Sequence, residues 1–153
     1  MFDNHDPENA NTKPAEGLPD PENIHPRVLA HLGDGVFDLF VRETALKQGI
    51  QQAGTLHRYT TSRVNAQFQV FLLDTLTPHL LESELEWVRR GRNLPVSTGR
   101  RSQHNIHRQA TGFETLLGYL YLKKPDRLQE LWHAITPLLS ELKSVDSSPP
   151  AAD

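Results

Sequence analysis

Residues 29–37 read Leu29-Ala30-His31-Leu32-Gly33-Asp34-Gly35-Val36-Phe37, and the fold turns on how this stretch is read. Leu29, Leu32, Val36, Leu39, Phe40 and Leu46 recur at three- and four-residue spacing, and Pro26 suits a first helical turn. The stretch is therefore one face of a long helix. Two glycines inside it cost roughly 1 kcal/mol each relative to alanine. A helix carrying that cost needs another backbone close by, and Asp34 stands between the two.

The same periodicity continues outward. Gly49 and Gly54 bracket a loop, and a second helix is expected from about Leu56 through Val64, Phe68, Phe71 and Leu72 to Leu76. Ser83 and Glu86 have the spacing of a capping box, opening a helix that runs through Trp87 and Val88 to about Arg92. Residues 93–108 hold Pro95, Gly99 and several polar side chains with almost nothing apolar, and are expected to be a loop. Thr111 to Lys123 is a strongly apolar helix stopped before Pro125. Asp126 caps a last helix, in which Pro137 should cause a break or kink. No period-2 strand pattern of useful length appears, so the fold class is all-α.

Composition sets the limits around this domain. The chain has 153 residues, of which 23% are charged and 37% hydrophobic, as in an ordinary soluble globule. Residues 1–24 carry four prolines and six acids, and residues 143–153 are Ser/Pro/Ala-rich. Both are expected to be disordered tails, because neither buries enough apolar surface to offset the entropy of ordering it. The domain is then 25–142. It carries 14 basic and 11 acidic side chains, a net of +3, which the whole-chain value of −3 conceals. There is no cysteine, which removes disulfides and thiolate metal sites. No apolar run approaches the roughly 20 residues of a membrane span, so no membrane is expected and the cytoplasm is the expected compartment.

Chemistry is suggested at three places. Asp38 lies one turn after Asp34 on the same face. Glu114 is the only charge in Gly112-Phe-Glu-Thr-Leu-Leu-Gly-Tyr-Leu-Tyr-Leu122, and a carboxylate on so apolar a helix needs a cation, a proton or donors nearby. Gly118, one turn on, again permits a close helix crossing. Asp34 and Glu114 together make a plausible Mg²⁺ site, since that ion takes one or two carboxylates and completes its octahedron with water and phosphate. The third place lies between Trp87 and Phe113. Those 27 positions hold six arginines, Arg89, Arg90, Arg92, Arg100, Arg101 and Arg108, and not one acid. Solvated surfaces usually mix signs, whereas arginine forks match phosphate oxygens and grip a nucleic-acid backbone without reading sequence. Arg89 and Arg92 could instead anchor a helix through Glu82 or Glu86.

Other patterns carry less. His104-x-x-His107 has no further ligand nearby for zinc, and His5-Asp6 resembles a phosphohydrolase signature only in letters. Trp87, Trp132, Tyr119 and Tyr121 are expected in the core rather than as base-stacking platforms.

These residues carry a family resemblance. Leu29–Val36 resembles the ribonuclease III signature, and Phe113-Glu114-x-Leu116-Leu117-Gly118-Tyr119-Leu120 resembles the second acidic element of the same domain. Leu56-His57-Arg58, Val64-x-Ala66-x-x-Gln69 and Val88-Arg89-Arg90-Gly91-Arg92-Asn93 look like the Mini-ribonuclease III subfamily, over about residues 25–132 in all. The resemblance implies a ribonuclease III-type helical endonuclease domain. It also implies Mg²⁺-dependent cleavage of double-stranded RNA, with Mn²⁺ a possible substitute, leaving 5′-phosphate ends. A homodimer, precursor 23S ribosomal RNA as substrate and no role for DNA are implied as well. Asp34 and Glu114 would be the catalytic metal ligands, with Asp38, Thr111, His57 and Asn93 possible accessories.

Full-length ribonuclease III enzymes have two further acids and a separate RNA-binding domain. Ala30 and Thr111 stand where those acids are expected, and Arg27 replaces another signature glutamate. These departures are themselves like Mini-ribonuclease III, and they leave the basic segment as the expected substitute for the missing domain. A non-catalytic ribonuclease III-like scaffold on RNA is the alternative, disfavoured by the retention of both Asp34 and Glu114. A small-molecule metal phosphohydrolase fits least, because the arginines exceed what one nucleotide needs.

Overall fold

The computed structural model describes residues 16–96 and 101–141, with backbone only at 101, 102 and 141. Six α-helices and two short 3₁₀ turns make up the described residues, with no strand among them. The helices are α1 (Pro26–Lys47), α2 (Ala53–Arg63), α3 (Ala66–Leu76), α4 (Glu82–Arg92), α5 (Arg101–Lys123) and α6 (Pro125–Glu141). The all-α reading holds.

Helix α5 is the centre of the fold, with α1, α3, α4 and α6 all packed against it. Phe113, Leu116, Leu117 and Leu120 on α5 are fully buried, together with Phe37 of α1, Leu72 of α3 and Ile135 of α6. Phe37 meets Phe113 edge to face at 5.7 Å, Phe40 stacks on Trp132 at 4.0 Å, and Trp87 stacks on Tyr119 at 4.4 Å. Trp87, Trp132 and Tyr119 are thus core residues as expected, whereas Tyr121 is 44% exposed and is not.

Several boundaries differ from the periodicity. The expected helix from Leu56 to Leu76 is two helices, and Asn65 divides them. Its carbonyl oxygen caps α3 by accepting from the Phe68 N–H at 2.9 Å, while its amide donates to the Thr61 and Ser62 carbonyls at the end of α2. Apolar spacing runs straight across Asn65 and hides the break. Gly54 lies inside α2 rather than closing a loop. Helix α4 begins two residues earlier than Ser83 predicts. Glu84, not Glu86, turns back to accept from the Leu81 N–H at 2.8 Å.

The expected loop 93–108 is helical from Arg101 onward; its polar composition reflects side chains that are mostly exposed from Gln103 to Arg108. Pro125, not Asp126, opens α6, which then runs through Pro137 without a break. The acidic segment also starts to be ordered before residue 25. Asp20 caps a 3₁₀ turn at Pro21–Asn23, Pro21 is buried, and Asp20 and Glu22 both lie within 4 Å of Lys123. Residues 1–15 and 142–153 lie outside the described residues. No described helix is long and apolar enough to cross a membrane.

One ion pair locks α4 to α6. Glu84 is 2% exposed, and Arg127 grips it with two N–H···O contacts of 2.9 Å while a third donor reaches the His79 carbonyl. Burial pushes the Glu84 carboxyl up, but Arg127, the Leu81 N–H and Lys124 outweigh burial and hold it below the ordinary range. Arg127→Met, which strands that carboxylate, should lower unfolding stability by about 3–5 kcal/mol in urea titration. Adding Glu84→Leu should restore most of the loss. A stable single mutant would mean that the pair contributes nothing.

Candidate active site

The crossing of α1 over α5 builds the site. A Cβ on Gly33 would fall 2.6 Å from the Glu114 carbonyl carbon and overlap its oxygen, and one on Gly118 would overlap the Leu29 carbonyl. The two backbones therefore touch, as the glycine cost predicted at Gly33. Gly35 is different, because nothing lies within 4 Å of its Cβ position. Helix α4 approaches α5 the same way, since a Cβ on Gly112 would come 2.6 Å from the Val88 carbonyl oxygen.

At this crossing Asp34 is exposed and the half-buried Glu114 lies near enough to feel its charge. Burial, reinforced by Asp34, raises the Glu114 carboxyl to about pKa 7. Gln69 acts in the opposite direction by hydrogen-bonding to the carboxylate from α3, and it is itself 3% exposed. Two carboxylates are thus held together at the cost of protonating one near neutrality, a state that a divalent cation would relieve. No group of three or more His, Cys, Asp or Glu side chains able to hold a metal occurs among the described residues. The donor set is accordingly two hard oxygen ligands open to solvent on the Asp34 side, which fits a hydrated Mg²⁺ and not a closed protein cage.

The other predicted residues are not all gathered here. Asp38 is ion-paired with Arg42 at 2.9 Å and lines a separate cleft of about 370 Å³ with His57, away from Glu114. Thr111 lies one turn before Glu114, but its hydroxyl donates to the His107 carbonyl at 2.9 Å. Asn93 is the exposed C-cap of α4. Among the arginines, Arg89 is committed to Glu86 through contacts of 2.6 and 2.8 Å, and Arg90 reaches the same carboxylate and covers Trp87. That is the anchoring role weighed for Arg89. Arg92 lines a cavity with Asp74 and Gln109, and Arg108 lines another with Arg27. Arg100, and Arg101 for its side chain, lie outside the described residues.

Two residues with buried polar groups escaped the sequence reading. Gln69 was visible only as part of a family motif, without a role. Arg63 is 4% exposed, stacked on Tyr59 and donating to the Leu139 carbonyl at 2.9 Å, so it ties α2 to α6. A 3.6-residue pattern could have flagged both, since each occupies a core-facing position of its helix.

Comparison with known proteins agrees with the geometry. Residues 27–125 match the Ribonuclease III domain family. The Mini-ribonuclease 3 of a Synechocystis strain is 44% identical over 131 residues, spanning 86% of this chain and 90% of the relative. The chain belongs to the Mini-ribonuclease III family. Membership makes it an endoribonuclease of the ribonuclease III type. Mini-ribonuclease 3 from Symbiobacterium thermophilum is 40% identical over 76% of this chain and 92% of its own. The crystal structure of Fusobacterium nucleatum protein FN1578 superposes with a TM-score of 0.67 at 25% identity, over 78% of this chain and 98% of that one. The Ribonuclease III domain match over residues 27–125 spans α5 and all but the first residue of α1, the two helices that carry Glu114 and Asp34.

Proposed function

We propose that the protein is a divalent-metal-dependent endonuclease for double-stranded RNA, acting as a cytoplasmic homodimer that matures precursor 23S ribosomal RNA. The observation that carries the reading is the pairing of Asp34 with a half-buried, proton-prone Glu114 at a backbone-close helix crossing. Asp34 and Glu114 would hold Mg²⁺, or Mn²⁺ in its place. When bound, such an ion supplies Lewis acidity toward the phosphodiester and its attacking water.

The chain's own residues do the rest. Glu114 must surrender its proton before it can ligate, so metal uptake releases a proton. Gln69 orients the Glu114 carboxylate, and Gly33 and Gly118 set how near the two helices bring the acids. Arg92 and Arg108 have no described ion pair and would meet backbone phosphates, giving affinity without base reading. Arg89 and Arg90, partly neutralised by Glu86, would contribute less. Incubation with a long RNA duplex should give fragments with 5′-phosphate and 3′-hydroxyl ends when Mg²⁺ is present and none in EDTA. Cleavage that persists in EDTA would sink the metal assignment.

The homodimer is supported by an apolar groove on the outer face of α1. Leu32, Val36, Leu39 and Phe40 border it, with Leu128 and Trp132 opposite, around a cavity of about 340 Å³. Leu39 is 58% exposed, and Gly35 opens onto the same groove with nothing of its own chain against it. A second subunit crossing here would give Gly35 the neighbour that its helix cost implies. Leu39→Arg should convert the dimer to monomer at micromolar concentration in sedimentation velocity. A wild-type protein that sediments as a monomer would overturn the dimer.

A further inference from the structure

We infer that Arg27, His107 and Arg108 form a pocket for one phosphate of the RNA backbone, adjoining the Asp34–Glu114 pair. The inference rests on the duplex-cleaving role proposed above and deepens it.

The three side chains come from the start of α1 and the outer half of α5 and line one small cavity of about 110 Å³. A space of this size admits a single tetrahedral anion. The remaining described lining is Gly91, Leu94, Pro95, Val96 and Thr111, so no carboxylate among the described residues borders the cavity.

Charge pairing elsewhere makes this concentration unusual. Arg42 is matched by Asp38, Arg89 and Arg90 by Glu86, and Arg127 by Glu84 and Glu130. Arg27 instead has its described hydrogen bond to a neutral acceptor, the Pro95 carbonyl at 2.7 Å, and no described ion pair reaches Arg27 or Arg108. Two guanidinium groups placed together without an acid repel each other, and an anion between them removes that cost.

Position selects the anion. Thr111, on the pocket wall, precedes Glu114 by three residues on α5, a rise of about 4.5 Å. Arg27 precedes Asp34 by seven residues on α1, two turns along the same face. The pocket therefore adjoins the carboxylate pair at the α1–α5 crossing, where a strand laid across Asp34 and Glu114 presents its next phosphates. The Pro95 contact adds pre-organisation, because it holds the Arg27 side chain over the cavity before substrate arrives.

Arg27→Gln tests this, since glutamine keeps an N–H donor for the Pro95 carbonyl but carries no charge. Binding of duplex RNA would be measured across a NaCl series without divalent metal, in a Glu114→Gln parent that cannot cleave. Arg27→Gln should weaken binding about tenfold and make the log–log salt slope less negative by about one. The change should be equal for unrelated duplex sequences, and Arg27→Lys should keep the slope. Affinity lost with an unchanged slope would mean that Arg27 only tethers Pro95, and would overturn the phosphate contact. Unchanged affinity and slope would overturn the pocket while leaving duplex cleavage standing. A parent that binds no duplex would overturn both.

Discussion

Asp34→Asn and Glu114→Gln should each reduce cleavage of an RNA duplex by about 10³-fold or more while leaving duplex affinity in metal-free buffer nearly unchanged. Losing one of two ligands forfeits several kcal/mol of transition-state stabilisation, and each 1.36 kcal/mol is a factor of ten. The electrostatics of Glu114 add a signature that a merely structural residue lacks. Its folded-state pKa is about 7, above the ordinary 4.5, because of burial and the Asp34 charge. A carboxyl raised in this way contributes stability that is fully present below about pH 4.5 and is lost as pH rises through about 7.

Glu114→Gln should therefore make the metal-free protein more stable than wild type above pH 7, by about 1–3 kcal/mol once partial solvent access is allowed for. The two should converge toward pH 4.5. At limiting Mg²⁺, wild-type cleavage should climb as pH rises through about 7, as the Glu114 proton is released. Thermal unfolding in EDTA across pH and single-turnover cleavage across pH provide the two measurements. A Glu114→Gln variant that is inactive but less stable than wild type at pH 8 would assign Glu114 to scaffolding.

Gly118→Ala, like Gly33→Ala, should be among the most damaging single methyl additions at the described residues. The added Cβ overlaps the Leu29 carbonyl, and neither group sits on a side chain that can rotate away. The helices must part, at a cost of about 3 kcal/mol or more, set against total stabilities of about 5–15 kcal/mol. Because the same crossing sets the Asp34–Glu114 separation, the surviving folded fraction should also cleave poorly. Gly35→Ala is the natural contrast. Its Cβ meets nothing within the chain, so helix propensity alone should add up to about 1 kcal/mol to the isolated subunit. Chemical denaturation at dilute and concentrated protein separates the cases. A tolerated Gly118→Ala would contradict the backbone contact.

What could be read from the sequence was what carries a local cost. Glycines at 33 and 118 and a lone acid at 114 are expensive where they stand, and the expense points to the contact that justifies it. Asn65 was invisible because its apolar neighbours keep helical spacing on both sides, and only hydrogen bonds to residues 61, 62 and 68 reveal the break. Residues 103–109 lack the apolar stripe that marks a helix, since that part of α5 faces mostly solvent. The roles of Gln69 and Arg27 depend on partners at 114 and 95, and no local pattern reports contacts so distant in the chain. The arginines were legible as a class, but which of them are spent on Glu86 depended on helix geometry.

The placement of Glu114 on α5 also governs how the site moves. Leu116, Leu117 and Leu120 on that helix have no exposed surface, and four other helices pack around it. Amide hydrogens there can exchange with solvent only when the whole domain opens, so residues 113–120 should be among the slowest in the molecule. The Gln103–Gln109 part of the same helix, largely solvated, should exchange far sooner. One helix thus joins a rigid anvil at Glu114 to a more solvated outer arm, which under the proposed function would let an irregular duplex be accommodated without displacing the carboxylate.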